Sequence, residues 1–512
     1  MSDNRAATVA VIEDEDKFLA LKKVLDETGF FHVLERRFSE SNKTKDKFLI
    51  AIKPNFMFMY SKNDISTYTD PELVEYLIDR IHKQGFSNIV VVEAQSTYGN
   101  YFKNREVRKV AEYIGYSEKN YRIIDLTEES VSYEFGGRLG THPVGPTWKD
   151  ADFRISFAKN KTHTFCYYTL TIKNVYGALA MQNKLKEYHT KREIYWPAIE
   201  MLKHFPVHYG LIDAYISADG QFGIFADRYP NLTKTIIGGE NLIAVDWVGA
   251  KKMGIDPMAS RYMKLAVAAF GMPEINWIGD RTEYTSWRNV KSELVETVDR
   301  IEELYSFSNT LFMAINDMDP YFIPKRRTLF IKLLRRLFKP IRDLIMRERV
   351  DINSLRLMEL DPNKEVRIFK QVFLIKAERT RVYRYFLENF EVLLPETLQI
   401  TRKVTPGPVR VGTRYTAIPN FLTRPMVNVE ITSIKEGEEL VYGYLEGSPF
   451  SGRNSIVFKD NSLGTDIEVA LHYQIIGIAS WFGWYLLGGK RFHKRLVVEG
   501  FRNLKVLLEE KN

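Results

Sequence analysis

The sequence predicts an α/β protein in three parts: a doubly wound, mostly parallel sheet in residues 1–280, a helical connector at 281–365 and an α+β unit at 366–512. Three observations predict this organisation. Apolar strand-like runs alternate with helical patterns through the first 130 residues. The pattern becomes helical after residue 281. The composition then changes near DPNKEVRIF (361–369), where alternating strands begin.

The strand signals of the first part are apolar runs bounded by turn residues. The predicted strands are ATVAVIE (7–13), KFLIAIKPN (47–55), NIVVVEA (88–94), YRIIDL (121–126), ADFRISFAKNKTH (151–163), HYGLIDAYIS (208–217) and TKTIIGG (233–239). Helices are predicted in FLALKKVLDET, in DPELVEYLIDRIHKQG, near 104–114 and around NLIAVDWVGAKKMG. Continuous apolar strands are typical of parallel sheets buried on both faces, so we predict a Rossmann-like sheet.

Composition restricts the functional class. The chain has 512 residues, of which 45% are hydrophobic and 27% charged, as in a globular protein with ordinary cores. No secretory signal is recognisable at the N-terminus, and Cys166 is the only cysteine. One cysteine excludes an intrachain disulfide framework and an iron–sulfur cluster built by this chain alone. We expect a cytoplasmic protein, and its composition identifies no cofactor.

The most distinctive segment of the first part is KNKTHTFCYYTLTIKNVYGALA (159–180), which is cationic and rich in hydrogen-bonding groups. Alternation along its strand places apolar residues on one face, and the same period carries Lys159, Lys161 and His163 onto that face. Open α/β sheets bind ligands beyond the carboxyl ends of their strands. If TLTIKNVYGAL is helical, Thr169, Lys173 and Gly177 share a face.

Lysines converging on a sheet end suit a phosphate or carboxylate, and a nearby histidine suits acid–base chemistry or metal binding. The alternative is that these lysines are solvated ends of ordinary elements and that His163 is structural. The sequence contains neither GxGxxG after the first strand nor GxxxxGK[ST], and it lacks HExxH and GxSxG.

Several motifs recur in the order of a known family: KPN (53–55), KNKTH (159–163), TLTIKNVYG (169–177), the pair Lys184 and His189, LIDAY (211–215) and IAVDWVGAKKMG (243–254). Together they resemble domain of unknown function 362 over most of residues 1–280. Many members of that family carry ferredoxin-type cysteine clusters, which implies redox work. This chain departs from that pattern, because it has Cys166 alone.

The resemblance and the spacing together define a candidate site. The expected ligand-binding residues are Lys53, Asn55, Lys159, Lys161, Thr169, Lys173, Asn174 and Lys184. The expected catalytic residues are His163, His189 and Asp213. Glu93 and Asp246 are candidates for a metal. In the plainer interpretation, Asp213 caps a turn and Asp246 begins a helix.

The C-terminal part reads as strand, helix, about five alternating strands and the closing helix RFHKRLVVEGFRNLKVLLEE (491–510). With VGTRY (411–415), PMVNVEITSIKEGEELVYGY and NLKVLLE (503–509), it resembles the helix-grip fold of START-like and polyketide-cyclase (SRPBCC) proteins. That resemblance implies an apolar cavity and a hydrophobic small molecule or lipid as ligand. The alternative is an inward face that is a packed core.

The net charge of +8 is concentrated in one segment. Residues 324–349, PKRRTLFIKLLRRLFKPIRDLIMRER, contain ten basic and two acidic residues, a difference of eight. Their apolar residues follow helical spacing, which predicts either an interfacial helix on an anionic membrane surface or a basic helix docked on the protein. Nucleic acid is not expected, because aromatic interleaving is absent. The uncharged stretch 469–489 is read as a last strand, an aromatic loop and the start of the closing helix, rather than a membrane span.

The leading hypothesis is an enzyme that binds an anionic small molecule or cofactor at the Lys/His-rich site and acts on a hydrophobic substrate, by redox or group transfer. The second hypothesis is a non-catalytic carrier of a lipid or other hydrophobic ligand that associates peripherally with a membrane.

Overall fold

The computed structural model divides into two compact units, Met1–Arg349 and Val350–Asn512. The division lies inside the segment predicted as a connector. Residues 6–509 are described, except for 58, 60, 138, 191–193, 221–230, 286, 293–294, 297–318, 326, 338–354, 391–392, 394–397, 406–407 and 420–425.

The first unit alternates strands and helices. Its strands are β1 (Ala7–Glu13), β2 (Ile50–Lys53), β3 (Ile89–Glu93), β4 (Arg122–Asp125), β5 (Val131–Glu134), β6 (Thr141–Val144), β7 (Phe153–His163), β8 (Tyr167–Thr169), β9 (Tyr209–Ala218), β10 (Thr235–Gly239) and β11 (Ile275–Gly279). Its helices are α1 (Lys17–Glu27), α2 (Phe30–Ser39), α3 (Pro71–His82), α4 (Val107–Ile114), α5 (Pro146–Lys149), α6 (Thr171–Asn174), α7 (Trp196–His204), α8 (Leu242–Lys252), α9 (Arg261–Phe270) and α10 (Leu329–Leu337).

Local sequence signals account for the helix starts. Asp70 accepts a hydrogen bond from the Glu72 N–H, and Pro71 occupies the first helical position of α3. Asn241 accepts from two backbone N–H groups at the start of α8. Such side chains satisfy amides that have no partner within the helix, and each cap contributes about 1 kcal/mol.

Nine of the described strands of the first unit form a mixed sheet in the order β11-β1-β10-β9-β7-β2-β3-β4, with β8 paired to β7, and β5 and β6 pair in a separate two-stranded sheet. β2 is parallel to both neighbours, because Ile50 pairs with Ile89 on one side and with Phe153 on the other. β10 runs antiparallel to β1 and β9. The predicted α/β class is therefore present, and the mostly parallel sheet contains a reversed strand.

Helices cover both faces of this sheet, as β1 illustrates. Ala10 packs in a core with Leu21 of α1 and Leu73 of α3. Its neighbour Val9 packs on the opposite face with Val245 of α8. Burying one such aliphatic side chain contributes about 1.5–3 kcal/mol, so a sheet buried on both faces requires the continuous apolar strands that the sequence shows.

One predicted helix is wrong. TLTIKNVYGAL does not form a single helix, because Thr169 ends β8 and pairs with Lys161 of β7. Leu170 is extended, and α6 spans Thr171–Asn174. Thr169 therefore does not share a helical face with Lys173 and Gly177. The physical reason is tertiary, because the antiparallel pairing with β7 competes successfully with the helical periodicity.

The second unit is an α+β unit. Its strands are β12 (Arg367–Ile375), β13 (Gln399–Lys403), β14 (Arg414–Pro419), β15 (Val427–Lys435), β16 (Glu439–Tyr444), β17 (Phe450–Asn461) and β18 (Gly464–Ile475). Its helices are α11 (Arg379–Glu388), α12 (Ile478–Tyr485) and α13 (Gly489–Glu509). The antiparallel sheet has the order β12-β18-β17-β16-β15-β14-β13. Aromatic stacking of Phe373 on Phe501, with ring centres 4.5 Å apart, packs α13 against it.

The uncharged stretch 469–489 follows the prediction in outline. β18 ends at Ile475 and α13 begins at Gly489. The aromatic residues between them form α12 instead of a loop. Within the described residues, no helix is both long enough and apolar enough to cross a bilayer.

Candidate lysine-rich site at the sheet switch point

The connections of the sheet change direction between β2 and β7. From β2 the chain continues to β3 and β4 on one side, whereas β7 and β9 lie on the other. β2 and β7 are parallel neighbours, and Lys53 pairs with Ser156. The end of β2 therefore lies beside Ser156, and β7 continues past it to His163. Ligands of open α/β sheets bind in the crevice at such a reversal.

A continuous chain of polar contacts connects the residues at this point of the sheet. Lys53 Nζ contacts the Glu93 carboxylate and donates to Asn174 Oδ1 at 3.3 Å. The same oxygen accepts from Asn55 Nδ2 at 3.3 Å. Asn55 Oδ1 in turn accepts from Lys161 Nζ at 2.7 Å. The Asn174 side chain is also held through its amide nitrogen, because Nδ2 donates to the Lys53 carbonyl at 2.8 Å.

Lys159 forms a separate buried ion pair with Asp213. Their atoms lie 2.8 Å apart, and both side chains are almost fully buried. Asp213 also accepts the N–H of Asp70 at 2.9 Å and that of Tyr215 at 3.1 Å. The carboxylate thus fixes the start of α3 as well as the lysine. Asp213 is more than a turn cap, and its catalytic role stays a prediction.

Three lysines of the cluster form no ion pair with a carboxylate among the described residues: Lys161, Lys173 and Lys184. Lys161 Nζ donates to the Thr67 carbonyl at 3.0 Å, and Lys184 Nζ to the Gln95 carbonyl at 2.8 Å. Carbonyl dipoles solvate an ammonium group without neutralising its charge. The site therefore contains more lysines than paired carboxylates among the described residues.

Burial makes these charges costly. It lowers the pKa of Lys161 to about 7, and the charges of Lys173 and Lys159 lower it further. Burial also lowers the pKa of Lys184 to about 7, although Glu93 opposes the shift. The pKa of Lys173 is lowered by burial as well. Desolvation disfavours the charged form of each amine, and an approaching anion would oppose that effect.

The Lys53–Glu93 pair is almost completely buried. Burial lowers the pKa of Lys53 and raises the pKa of Glu93, in each case against the attraction between the two groups. Gly177 approaches this pair closely, since a Cβ there would lie 2.5 Å from Lys53 Nζ and 3.1 Å from Glu93 Oε1. Glycine is required here by the close approach of the backbone.

Substitution Gly177→Ala is expected to destabilise the first unit by about 1–3 kcal/mol, because the added methyl overlaps the ion pair. Urea unfolding of the full chain measures this change. In a Lys53→Ala background the same substitution should cost less, since the clashing amine is absent. An equal cost in both backgrounds would contradict the close contact.

Asp246 positions the short helix that carries Lys173 and Asn174. Its Oδ1 accepts the Thr171 N–H at 2.7 Å and its Oδ2 accepts the Ile172 N–H at 3.0 Å. Burial raises the pKa of Asp246 to about 7, against these hydrogen bonds. Asp246 therefore caps α6 rather than its own helix, whose cap is Asn241.

The remaining predicted residues have different surroundings. His163 is buried at the end of β7, and its Nδ1 accepts the Phe165 N–H at 3.2 Å. The Thr169 hydroxyl is buried without a hydrogen-bond partner among the described residues. His189 belongs to the helical turn Leu185–Thr190, and its side chain lies outside the described residues.

No cluster of three His, Cys, Asp or Glu side chains suited to a metal occurs in the described part of the chain. Metal binding by Glu93 or Asp246 stays a prediction. The known contacts of the two carboxylates are the Lys53 amine and the start of α6.

Two contributors to the site were missed by sequence reasoning. Gln95 was detectable, because it follows Glu93 by two positions at a predicted strand end. The Thr67 contribution was not, because a backbone carbonyl is independent of side-chain identity. Solvent reaches the network at half-buried Asn55, Lys173 and Gly177.

Residues 50–251 match Domain of unknown function (DUF362). The DUF362 match begins at the first residue of β2 and ends within α8, so it contains every predicted site residue from Lys53 to Asp246. No curated protein matches the chain.

Solved structures of low sequence identity also show similarity. An uncharacterised protein from Rhizobium leguminosarum is 16% identical, with a TM-score of 0.23, over 28% of this chain and 96% of its own. Ara h 8.0201 is 15% identical, with a TM-score of 0.23, over 28% of this chain and 99% of its own. Ginseng major latex-like protein 151 from Panax ginseng is 9% identical, with a TM-score of 0.22, over 28% and 99%.

The second unit contains a cavity of about 820 Å³. Its apolar lining includes Met358, Ile475 and Trp481, and its polar lining includes Glu359, Asp361, Lys364 and Gln474. Cavities of this size accommodate small organic ligands.

An aromatic cluster in the same unit surrounds a histidine. The His493 ring centre lies 5.3 Å from that of Trp484 and 6.1 Å from that of Tyr473. Burial lowers the pKa of His493 to about 4, so this imidazole is neutral at pH 7.

Proposed function

We propose that the first unit binds an anionic small molecule or cofactor bearing phosphate or carboxylate groups at the lysine cluster. The chain then acts as an enzyme on a hydrophobic substrate held by the second unit, by redox or group-transfer chemistry. One observation carries the proposal: among the described residues, Lys161, Lys173 and Lys184 lie near the switch point of the sheet without an ion pair to a carboxylate.

Charge balance favours a multiply charged ligand. The cluster contains five lysines, whereas its buried ion pairs involve Glu93 and Asp213. A dianion or trianion compensates the remaining lysines better than a monocarboxylate does. Lysine binds such groups as a point charge, and desolvation strengthens each contact.

Acid–base chemistry is assigned to groups near the carboxyl end of β7. Lys161, with a pKa of about 7, is suited to exchanging a proton at neutral pH. His163 lies two residues further along the same strand and is the second candidate. Asp213 keeps Lys159 in place in this scheme, and His189 stays a candidate.

The second unit is proposed to be a helix-grip domain that holds the hydrophobic substrate. Two features support this assignment: the antiparallel sheet packed against α13, and the cavity with Met358, Ile475 and Trp481 in its wall. The resemblance of 366–512 to START-like proteins implies the same ligand class.

A non-catalytic carrier of hydrophobic ligands is the alternative. The cavity of the second unit is compatible with both functions, but a carrier needs only that cavity and no lysine cluster. Binding of a fatty acid together with no saturable anion binding would favour the carrier.

The direct test is calorimetric titration of the full chain at neutral pH with pyrophosphate, phosphate and acetate. We expect saturable binding, strongest for pyrophosphate and weakest for acetate, since the ligands differ in charge. The control variant Lys109→Met, in an exposed ion pair with Glu106, should bind as the wild type does. Absence of saturable binding by all three anions would refute the proposal.

Anion affinity is also expected to depend on pH. Above pH 7 the free protein has Lys161 and Lys184 largely deprotonated, whereas a bound anion raises both pKa values. Binding then requires proton uptake, so affinity should fall with pH, by up to about tenfold per unit for each lysine. Titrations from pH 7 to about 9 measure this slope, and a flat profile would contradict it.

The free energy of unfolding of the ligand-free protein should rise with pH, whereas the anion affinity falls. The folded-state pKa values of these two lysines are lowered, so between about pH 7 and 10 the unfolded chain binds more protons than the folded one. Their contribution to the free energy of unfolding therefore rises with pH across this window and is least favourable below it.

A further inference from the structure

Helix α10 presents large apolar side chains to solvent. At about 100° per residue, four of them fall within an arc of roughly 100° on one face. These are Leu329, Phe330, Leu333 and Leu337, which are 85%, 66%, 55% and 66% exposed. None of the described side chains of α10 is buried. A patch of this kind marks an interaction site more often than an ordinary surface.

The surroundings of the patch show which side of α10 faces outward. Ile331, Leu334 and Arg335 are half-buried and lie on the side toward the protein. Lys332 and Arg336 are exposed and border the apolar strip. The outward face thus combines an oily strip with a flanking row of cations.

The net charge of the chain is concentrated in the segment of sequence that contains this helix. Residues 325–349 carry a net charge of +8, which equals that of the full sequence. A partner of complementary character is therefore both apolar and anionic.

The segment leading into α10 is anchored on the first unit. Tyr321 stacks on Tyr113 with ring centres 4.1 Å apart. The Lys325 N–H donates to the Tyr101 carbonyl at 2.8 Å, and Phe322 is buried. These contacts hold the start of α10 against the surface of the first unit. The exposed face of the helix therefore begins at a fixed point on that surface.

We propose that α10 is an interfacial helix that inserts its apolar strip into an anionic lipid bilayer while Lys332 and Arg336 contact lipid phosphates. An apolar strip flanked by cations is the arrangement that such helices use. Nucleic acid offers no apolar phase for the four exposed side chains, and a purely apolar protein surface leaves the cations uncompensated. This inference is independent of the anion-binding proposal.

The anchoring also relates the membrane contact to the lysine cluster. Ser61 Oγ donates to Asp319 Oδ2 at 3.2 Å in the segment before α10. Ser61 belongs to the loop between β2 and α3, which supplies Asn55 and Thr67 to the cluster. Attachment through α10 would therefore hold this loop, with Asn55 and Thr67, near the bilayer.

Vesicle flotation of the full chain tests the proposal, using phosphatidylcholine vesicles with and without phosphatidylserine. The wild type should float with the anionic vesicles and much less with the neutral ones. Lys332→Gln with Arg336→Gln should reduce partitioning by about 25-fold, at roughly fivefold for each cation. Leu329→Ser with Leu333→Ser should reduce it by more than about tenfold.

Leu463→Ser is the matched control, because Leu463 is 64% exposed in the second unit and should leave flotation unchanged. All of these positions are exposed, so circular dichroism should show folded variants. Failure of the wild type to float, or equal flotation with neutral vesicles, would overturn the proposal. So would binding to duplex DNA in place of vesicles, or a dimer in sedimentation that Leu333→Ser dissociates.

Discussion

Replacing Lys53 by methionine is expected to destabilise the first unit by about 3–5 kcal/mol, because it leaves the Glu93 carboxyl buried without its cation. Both side chains are almost completely buried, and the pair lies at the centre of the network. Urea unfolding of the full chain, followed by a probe of the first unit, measures the change. Methionine approximates the volume of lysine, so the loss reflects charge rather than a cavity.

A double variant separates this electrostatic effect from packing. Lys53→Met with Glu93→Leu removes both members of the buried pair and should recover most of the lost stability. The matched control is Lys109→Met, which breaks an exposed pair with Glu106 and should change stability by about 0–1 kcal/mol. If Lys53→Met proved as mild as the control, the buried ion pair would not stabilise the fold as described.

Lys161→Met is expected to weaken pyrophosphate binding by about 10- to 100-fold, the loss of one charge-assisted hydrogen bond to the ligand. Its effect on stability should be smaller than that of Lys53→Met. Lys161 forms no ion pair with a described carboxylate, so its removal leaves no buried carboxylate without its cation. Removing a desolvated charge also offsets the loss of its hydrogen bonds to Asn55 and Thr67. Calorimetric titration at neutral pH measures the affinity.

Two comparisons make this result specific. Lys161→Arg keeps the charge and should retain part of the affinity, although the guanidinium does not reproduce the lysine geometry. Lys459→Met, at an exposed lysine of the second unit, should change nothing. A folded Lys161→Met variant with wild-type affinity would remove Lys161 from the site and leave Lys173 and Lys184 as the remaining candidates.

Strand parity was the sequence feature on which the predicted site depended most. Because successive residues of a strand alternate between faces, the odd positions through His163 were predictable, and β7 does extend to His163. The pairing of Lys53 with Glu93 was less accessible. It depends on β2 and β3 being neighbours, which follows from the fold rather than from either residue.

Long-range contacts account for what could not be predicted. The segment TLTIKNVYGAL has helical periodicity, yet Thr169 pairs with Lys161, and Asp246 begins α6 from more than seventy residues away. Burial of the lysines was equally inaccessible, because lysine is normally solvated. The sequence therefore predicted which residue types meet, whereas the structure shows that they are desolvated.

Proton uptake on anion binding tests the central claim most directly. Titration of pyrophosphate into the full chain, in two buffers of different ionisation enthalpy near pH 8.5, reports the protons bound per ligand. The account predicts saturable binding with uptake of about one proton or more, because the anion restores charge to Lys161 and Lys184. Binding without proton uptake, or no binding, would contradict the claim that an anion binds at these buried lysines and restores their charge.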